Sequence, residues 1–142
     1  MPYVLDTDHV TVIQKRGPVT DTLVRRLREI APDDVATTIV TFQEQAQGWL
    51  AAIHRAKSGH EILKHYARLD EVRIDFQRMN VLPFSADAQQ VFDSLRPKCR
   101  RLGTLDLRIA SIAIATDAIL LTRNATDFEQ VPGLSFKDWT AP

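Results

Sequence analysis

The fold of this chain is decided by the stretch Tyr3-Val4-Leu5-Asp6-Thr7-Asp8 near its start. Its apolar and aromatic residues run directly into an acid, a composition typical of a short buried strand. Asp6 would lie where this strand leaves the sheet, and in parallel α/β sheets ligands bind at that end. A carboxylate shielded from water needs a cation, a donor or a proton. We therefore predict that Asp6 is the first ligand of a hard metal ion, and that Asp8 is a helix cap or a supporting group.

Size and composition indicate an ordinary globular protein. With 142 residues and 44% hydrophobic content the chain can bury a core without disulfides, and we expect one domain over residues 1–142. The 18 basic and 18 acidic residues cancel, so no overall field directs the chain to nucleic acid or membrane. Cys99 is the single cysteine, which excludes a disulfide framework and a cysteine-based zinc site within the chain.

Neither a membrane span nor an export signal is recognisable. The start, Met1-Pro2-Tyr3, lacks the basic region and long apolar core of a signal peptide. The most apolar late stretch, Ile109 to Leu121, is too short and too polar to cross a bilayer. Because a lone cysteine also fits a reducing compartment, we expect a cytoplasmic protein.

Strands and helices alternate along the rest of the chain. Helical spacing of apolar residues predicts two long helices, Thr41 to about Lys57 and about Glu61 to Arg78, which form a hairpin. Alternation of this kind favours an α/β fold with a mainly parallel sheet. After the first strand, further strands are predicted at Val35 to Val40, Asn80 to Phe84, Ala118 to Leu121 and Leu134 to Phe136.

Four acids stand where a parallel sheet would bring them together. Asp6 ends the first strand, Glu44 opens the helix after the second, Asp106 lies in the first turn of a later helix, and Asp127 follows the fourth strand. Strand ends and the N-termini of the following helices share one edge of such a sheet. Crowded carboxylates repel one another unless cations neutralise them. All-oxygen ligands suit Mg²⁺ or Mn²⁺, which can activate water, so the four acids predict such a site.

Each acid also has a purely structural explanation. Asp6 could cap the first helix, and Glu44 fits a capping box with Thr41. Asp106 could be a favourable charge at a helix N-terminus, and Asp127 could make a local turn. The prediction therefore depends on the convergence of the four acids.

The chain resembles PIN domains, specifically the VapC-type toxin ribonucleases of type II toxin–antitoxin systems. The resemblance covers nearly the whole chain and implies a three-layer α/β/α sandwich with a central, mainly parallel sheet. It also implies Mg²⁺- or Mn²⁺-dependent cleavage of RNA. Asp8 departs from it, standing where many relatives have Asn, and Gln45 stands where Leu is usual. The residues that carry the resemblance are Val4 to Asp8, Glu44 to Trp49, Gly103 to Ala110, Leu120 to Phe128, Val131 to Leu134 and Trp139.

Carried over residue by residue, the resemblance implies roles for the acidic and polar residues. Asp6 and Asp106 would be the main metal ligands, and Glu44 would complete the acidic site directly or through water. Asp127 would be the fourth acid, with Thr122 and Asn124 orienting ligands or water. The resemblance further implies an RNA substrate, a small antitoxin that inserts a peptide into a groove near the site, and a homodimer.

Basic residues and a histidine adjoin these positions in the sequence. Arg100, Arg101 and Arg123 would contact RNA phosphates or would simply be solvated, and neutral net charge favours neither. The four histidines share no metal-binding spacing. His9 could touch substrate, but we expect it to be an exposed helix residue.

Two other functions stay open at this point. Asp6-Thr7-Asp8 after a hydrophobic strand also matches the opening motif of haloacid-dehalogenase-like phosphatases, in which Asp6 would be the nucleophile. The later lysine and acidic motif of that family are missing from suitable places. The other alternative is a catalytically silent PIN-like module that binds RNA or protein, which the full set of four acids disfavours.

Overall fold

A five-stranded sheet forms the centre of the protein in the computed structural model, which describes residues 2–15 and 17–141. The strand order is β3-β2-β1-β4-β5, and every strand pairing is parallel, which confirms the predicted sheet and places β1 at its centre. The strands are β1 Tyr3–Leu5, β2 Val35–Thr38, β3 Val81–Leu82, β4 Ile119–Leu121 and β5 Ser135–Lys137.

Helices connect the strands and cover both faces of the sheet. Within the described residues no helix is long and apolar enough to cross a membrane. The two long helices Ile39–Arg55 and Gly59–Gln77 pack as the predicted hairpin. The helices are α1 Thr7–Lys15, α2 Pro18–Leu27, α3 Ile39–Arg55, α4 Gly59–Gln77, α5 Ala86–Leu95, α6 Thr104–Ala115 and the single turn α7 Ala125–Phe128, with a 3₁₀ turn at Pro32–Asp34.

Side chains that alternate along the central strands divide the core into two layers. Val4 and Leu120 point to the layer that contains α6, whereas Leu5 and Leu121 point to the layer beneath α1 and α4. Successive strand residues face opposite sides of a sheet, so apolar residues at consecutive positions indicate burial on both faces. The result is the predicted three-layer α/β/α sandwich.

The boundary between β2 and α3 differs from the prediction. The strand ends at Thr38, and the helix begins at Ile39 rather than at Thr41. Thr38 is the helix cap, because its hydroxyl accepts a hydrogen bond of 3.0 Å from the backbone N–H of Thr41. The capping box proposed for Thr41 and Glu44 is therefore wrong. Glu44 lies in the second turn of α3.

The junction between β1 and α1 holds Asp6 at the carboxyl edge of the sheet. Its backbone N–H donates to the carbonyl of Leu121, which extends the pairing with β4, and its carbonyl accepts from the N–H of Val10. Asp6 is therefore both the end of the strand pairing and the first residue of the helix hydrogen-bonding pattern. Two regular elements position its side chain.

Candidate functional site

A cavity of about 450 Å³ opens at the carboxyl edge of the sheet. It lies beside the N-terminus of α1, where strand ends of a parallel sheet leave a crevice. The residues that line it are Asp6, Thr7, Asp8, Thr11, Val12, Lys15, Asp106, Arg123 and Asn124. Several predicted site residues therefore share one cavity, although the sequence separates them by more than a hundred positions.

Asp6 is buried in the wall of this cavity, with 5% of its surface exposed. Its Oδ1 accepts from the backbone N–H of Thr7 at 2.8 Å, and the hydroxyl of Thr122 lies 2.8 Å from Oδ2. Burial first, and then the charge of Asp8, raise the pKa of Asp6 to about 7 from its ordinary 3.8. The N–H of Thr7 belongs to the residue directly after Asp6, whereas a capping side chain accepts from the N–H two or three residues on. Capping therefore does not account for an acid buried at such a cost.

The other acids lie close enough to perturb one another. Burial, followed by the charge of Asp106, raises the pKa of Glu44. Burial, followed by the charges of Asp127 and Asp8, raises the pKa of Asp106. These shifts have the sign expected of carboxylates that share a confined volume. The structure therefore brings the four predicted acids and Asp8 into one electrostatically coupled cluster.

Hydrogen bonds from the segment after β4 fix part of this cluster. The hydroxyl of Thr122 accepts from the backbone N–H of Asn124 at 3.0 Å and faces Asp6. The side-chain amide of Asn124 donates to Asp127 Oδ2 at 2.9 Å. Asp127 lies in the short helix α7 rather than in the predicted loop. Both polar residues thus orient carboxylates, the kind of role that the resemblance implies for them.

Asp8 connects two segments by hydrogen bonds and does not cap α1. It lies inside the first turn of that helix, and its Oδ2 accepts from the backbone N–H of Arg123 at 2.9 Å. The hydroxyl of Thr122 is also 3.3 Å from this oxygen. Asp8 therefore links α1 to the segment after β4.

The acidic cluster fits a hard cation in its chemistry. Glu44 Oε1 is buried and has no hydrogen-bond partner in the described part of the chain, so it can accept from a metal-bound water or from the metal. Within residues 2–15 and 17–141 no group of three or more acids, histidines or cysteines is placed so that it could hold a metal ion. Mg²⁺ keeps several waters and binds through one or two carboxylates, so two acids and coordinated water are enough for it. Asp6 and Asp106 would hold such an ion.

The sequence prediction missed three features beside the acids. His9 is completely buried, so the expectation of an exposed histidine is wrong. Thr11 and Lys15 also line the cavity, one and two turns along α1 from Thr7. Their spacing of four residues was a usable signal, because it places all three on the face of α1 that begins beside Asp6.

The three predicted RNA-contacting arginines differ in their placement. Arg123 is exposed and lines the acidic cavity. Arg100 and Arg101 are exposed in the segment between α5 and α6 and do not line it. Arg123 is therefore the best placed of the three to meet a phosphate at the acids, whereas Arg100 and Arg101 could meet only a longer substrate.

The parallel sheet with acids at its carboxyl edge agrees with the comparison to known families. Residues 3–134 match the family described as PIN domain, and the chain belongs to that family. The phosphatase alternative, which requires a different family, therefore loses its support.

The relatives found among known proteins are of VapC type. Ribonuclease VapC1 of Haemophilus influenzae (strain R2866) is 24% identical over 145 residues, which cover 99% of each chain. Ribonuclease VapC2 of Rickettsia felis is 27% identical over 144 residues, which cover 98% of each chain. The crystal structure of VapBC2 from Rickettsia felis bound to a DNA fragment from their promoter matches with a TM-score of 0.73 and 26% identity, over 98% of this chain and 99% of that chain.

Proposed function

We propose that this protein is a Mg²⁺- or Mn²⁺-dependent endoribonuclease that hydrolyses RNA phosphodiesters at Asp6, Glu44, Asp106 and Asp127. The observation that carries the proposal is the coupled acidic cluster, of which Asp6 and Asp106 line an open cavity, whereas Glu44 and Asp127 are not among its lining residues. Three of its acids have raised pKa values, caused first by burial and then by neighbouring carboxylates. A structural role does not account for several acids held at this cost, whereas cation binding does. The relatives named ribonucleases support RNA as the substrate.

Each residue of the cluster has a distinct task in the proposed reaction. Asp6 and Asp106 would hold the metal, and Thr122 keeps the Asp6 carboxylate in one orientation through its 2.8 Å contact. When bound, the metal neutralises phosphate charge and lowers the pKa of a coordinated water. The unpartnered Oε1 of Glu44 accepts a proton of the attacking water. Asn124 orients Asp127, which adds to the negative charge that retains the cation.

Basic residues at the cavity would hold the RNA. Arg123 and Lys15 both line the cavity although they are far apart in the sequence. Arg123 follows β4, and Lys15 is the last residue of α1. Both are exposed, so each can reach a phosphate from solvent. Arg100 and Arg101 would contact nucleotides further from the scissile bond.

Replacement of Asp106 tests the proposal. Cleavage of a fluorescent RNA by purified wild type should need Mg²⁺ or Mn²⁺ and stop with chelator, and Asp106→Asn should lower kcat on the order of 100-fold or more. The exposed Asp87 occupies the first turn of α5, as Asp106 does in α6, so Asp87→Asn controls for the loss of a helix N-terminal charge. Equal activity of Asp106→Asn and Asp87→Asn would contradict the proposal and would favour a silent binding module.

We also propose that a small antitoxin protein inserts a peptide into a groove next to the acids. A groove of about 1020 Å³ runs between α1, α3 and α4 and shares Thr11 and Lys15 with the acidic cavity. Trp49 and Val72 are among its apolar lining residues, and Arg68 is among its charged ones. Apolar pockets with charged margins suit a peptide anchored by aliphatic or aromatic side chains.

Substitution in this groove should separate partner binding from catalysis. Trp49→Ala should lower the affinity for a co-expressed antitoxin at least about 10-fold, because large aromatic side chains dominate the binding energy of such interfaces. Cleavage by the isolated variant should change little, since Trp49 does not line the acidic cavity. Val19→Ala, at an exposed apolar residue of α2 outside both the groove and the proposed dimer surface, is the control. Unchanged antitoxin affinity in Trp49→Ala would contradict this placement.

The remaining proposals concern assembly and location. We expect a homodimer, and Leu50, Leu63 and Tyr66 on the α3–α4 hairpin are exposed apolar side chains that association would cover. Analytical ultracentrifugation of the wild type and of Leu63→Lys tests this, and a monomeric wild type would refute it. The proposed place of action is the cytoplasm, which suits the free thiol of Cys99.

A further inference from the structure

His9 is a fully buried histidine that the proposed reaction does not use. It lies in the first turn of α1, and its ring is held from two sides. Nδ1 is 2.8 Å from Asp8 Oδ1, and Nε2 is 3.2 Å from the backbone N–H of Trp139. A polar ring with no solvent contact needs partners for both nitrogens, and these two contacts supply them.

The two contacts define which nitrogen carries the proton. A backbone N–H can only donate, so the N–H of Trp139 requires Nε2 of His9 to accept. Nδ1 must then carry the hydrogen, and it donates to the carboxylate of Asp8. The ring of His9 therefore accepts a hydrogen bond from the C-terminal segment and donates one to Asp8.

The connection continues from Asp8 to the metal-binding acid. Asp8 Oδ2 accepts from the N–H of Arg123 and lies 3.3 Å from the hydroxyl of Thr122, which is 2.8 Å from Asp6 Oδ2. We propose that His9 is a positioning residue that fixes Asp8. Because Asp8 accepts from the backbone N–H of Arg123, it also fixes the adjacent Thr122, whose hydroxyl holds the Asp6 carboxylate, and the acidic site thus depends on the segment around Trp139. This inference rests on the proposed nuclease function.

The C-terminal segment is anchored well enough to serve as the fixed end. The ring of Trp139 packs on Tyr3 of β1 with centroids 4.6 Å apart. The carbonyl of Lys137 in β5 accepts from the backbone N–H of Thr122. Because these contacts attach the segment to the sheet, the hydrogen bond from Trp139 holds the His9 ring in one place.

Three substitutions at position 9 separate positioning from mere burial. His9→Leu fills the space without a donor, His9→Asn keeps an N–H near the place of Nδ1, and His9→Gln keeps an acceptor near the place of Nε2. We expect His9→Leu and His9→Gln to weaken Mn²⁺ binding and to lower kcat about 10- to 100-fold, since residues that orient metal ligands have effects of this size. His9→Asn should retain both within about threefold.

The measurements include readouts other than cleavage. Mn²⁺ affinity is measured by the loss of free-ion signal in electron paramagnetic resonance, and folding by thermal unfolding. In long-range ¹⁵N–¹H spectra of the wild type, the His9 signals, identified by their loss in His9→Asn, should show the Nδ1–H tautomer. An Nε2–H tautomer would overturn the proposal, and so would equal Mn²⁺ affinities in His9→Asn and His9→Gln. Both tests still apply if His9→Leu does not fold.

A second substitution tests whether His9 acts through Asp8. In an Asp8→Asn background, His9→Gln should reduce Mn²⁺ affinity less than it does in the wild type, because the carboxylate that it orients is gone. Identical effects in both backgrounds would contradict the proposed connection. Asp106→Asn, measured in parallel, distinguishes the failures. If Asp106→Asn abolishes cleavage while His9→Gln keeps wild-type cleavage and Mn²⁺ affinity, only the positioning role of His9 fails. If Asp106→Asn remains fully active, the proposed nuclease function fails.

Discussion

Asp6→Asn should stabilise the metal-free protein although it abolishes cleavage. Burial and the charge of Asp8 raise the pKa of Asp6 to about 7 in the folded protein, against an ordinary value of 3.8. A difference of about three pKa units corresponds to about 4 kcal/mol. An acid with a raised folded pKa stabilises fully below its unfolded pKa, and this stability is lost as pH rises through the folded pKa. The wild type therefore loses stability between about pH 4 and about pH 7, and the uncharged asparagine does not.

Urea unfolding in the presence of a chelator measures this effect. The free energy of unfolding of Asp6→Asn minus that of the wild type should increase by about 2.5 kcal/mol between about pH 5 and about pH 8. The amide retains an oxygen for the N–H of Thr7, so the loss of hydrogen bonding is small beside this change. Asp33→Asn, an exposed acid before β2 and hence at the opposite edge of the sheet, controls for the loss of one negative charge.

If the stability difference between Asp6→Asn and the wild type is the same at both pH values, the Asp6 carboxylate is not strained by burial, and the argument for a cation site weakens with it. Mg²⁺ added without chelator should narrow the difference at the higher pH, because it binds the folded wild type and not the variant.

Three further predictions concern metal binding and folding. Calorimetry in buffers of different ionisation enthalpy should show that Mn²⁺ binding releases a proton, because Asp6 must lose its proton to bind the ion. The Mn²⁺ affinity should rise about tenfold per pH unit up to about pH 7. A Mn²⁺ affinity that does not change with pH would count against Asp6 as a ligand. Ser58→Ala removes the cap that accepts from the N–H of Glu61 and should cost about 1 kcal/mol in urea unfolding without changing cleavage. Phe128→Ala empties a fully buried position and should cost about 3–5 kcal/mol in the same assay, and a loss below about 1 kcal/mol would contradict its place in the core.

The sheet was predictable because its strands are short apolar runs. Val4 and Leu5, and likewise Leu120 and Leu121, are consecutive apolar residues, as expected for strands buried on both faces. The end of β2 was not predictable in the same way. Ile39 and Val40 are β-branched and favour a strand, yet the cap at Thr38 and the packing of α3 place them in a helix.

The acids and the histidine differ in how far the sequence reveals them. The clustering of Asp6 with Asp106 follows from strand ends and helix starts, which a parallel sheet collects at one edge. The burial of His9 depends on Trp139, which lies 130 positions away and contacts it only in the folded chain. No local spacing encodes that contact, so sequence reasoning placed His9 on the surface.

Anomalous diffraction from crystals soaked in Mn²⁺ tests the central claim most directly. We predict a peak between the carboxylates of Asp6 and Asp106, lost in Asp106→Asn and retained in Asp87→Asn. A crystal with Mn²⁺ bound elsewhere and none between Asp6 and Asp106 would contradict the metal-dependent site.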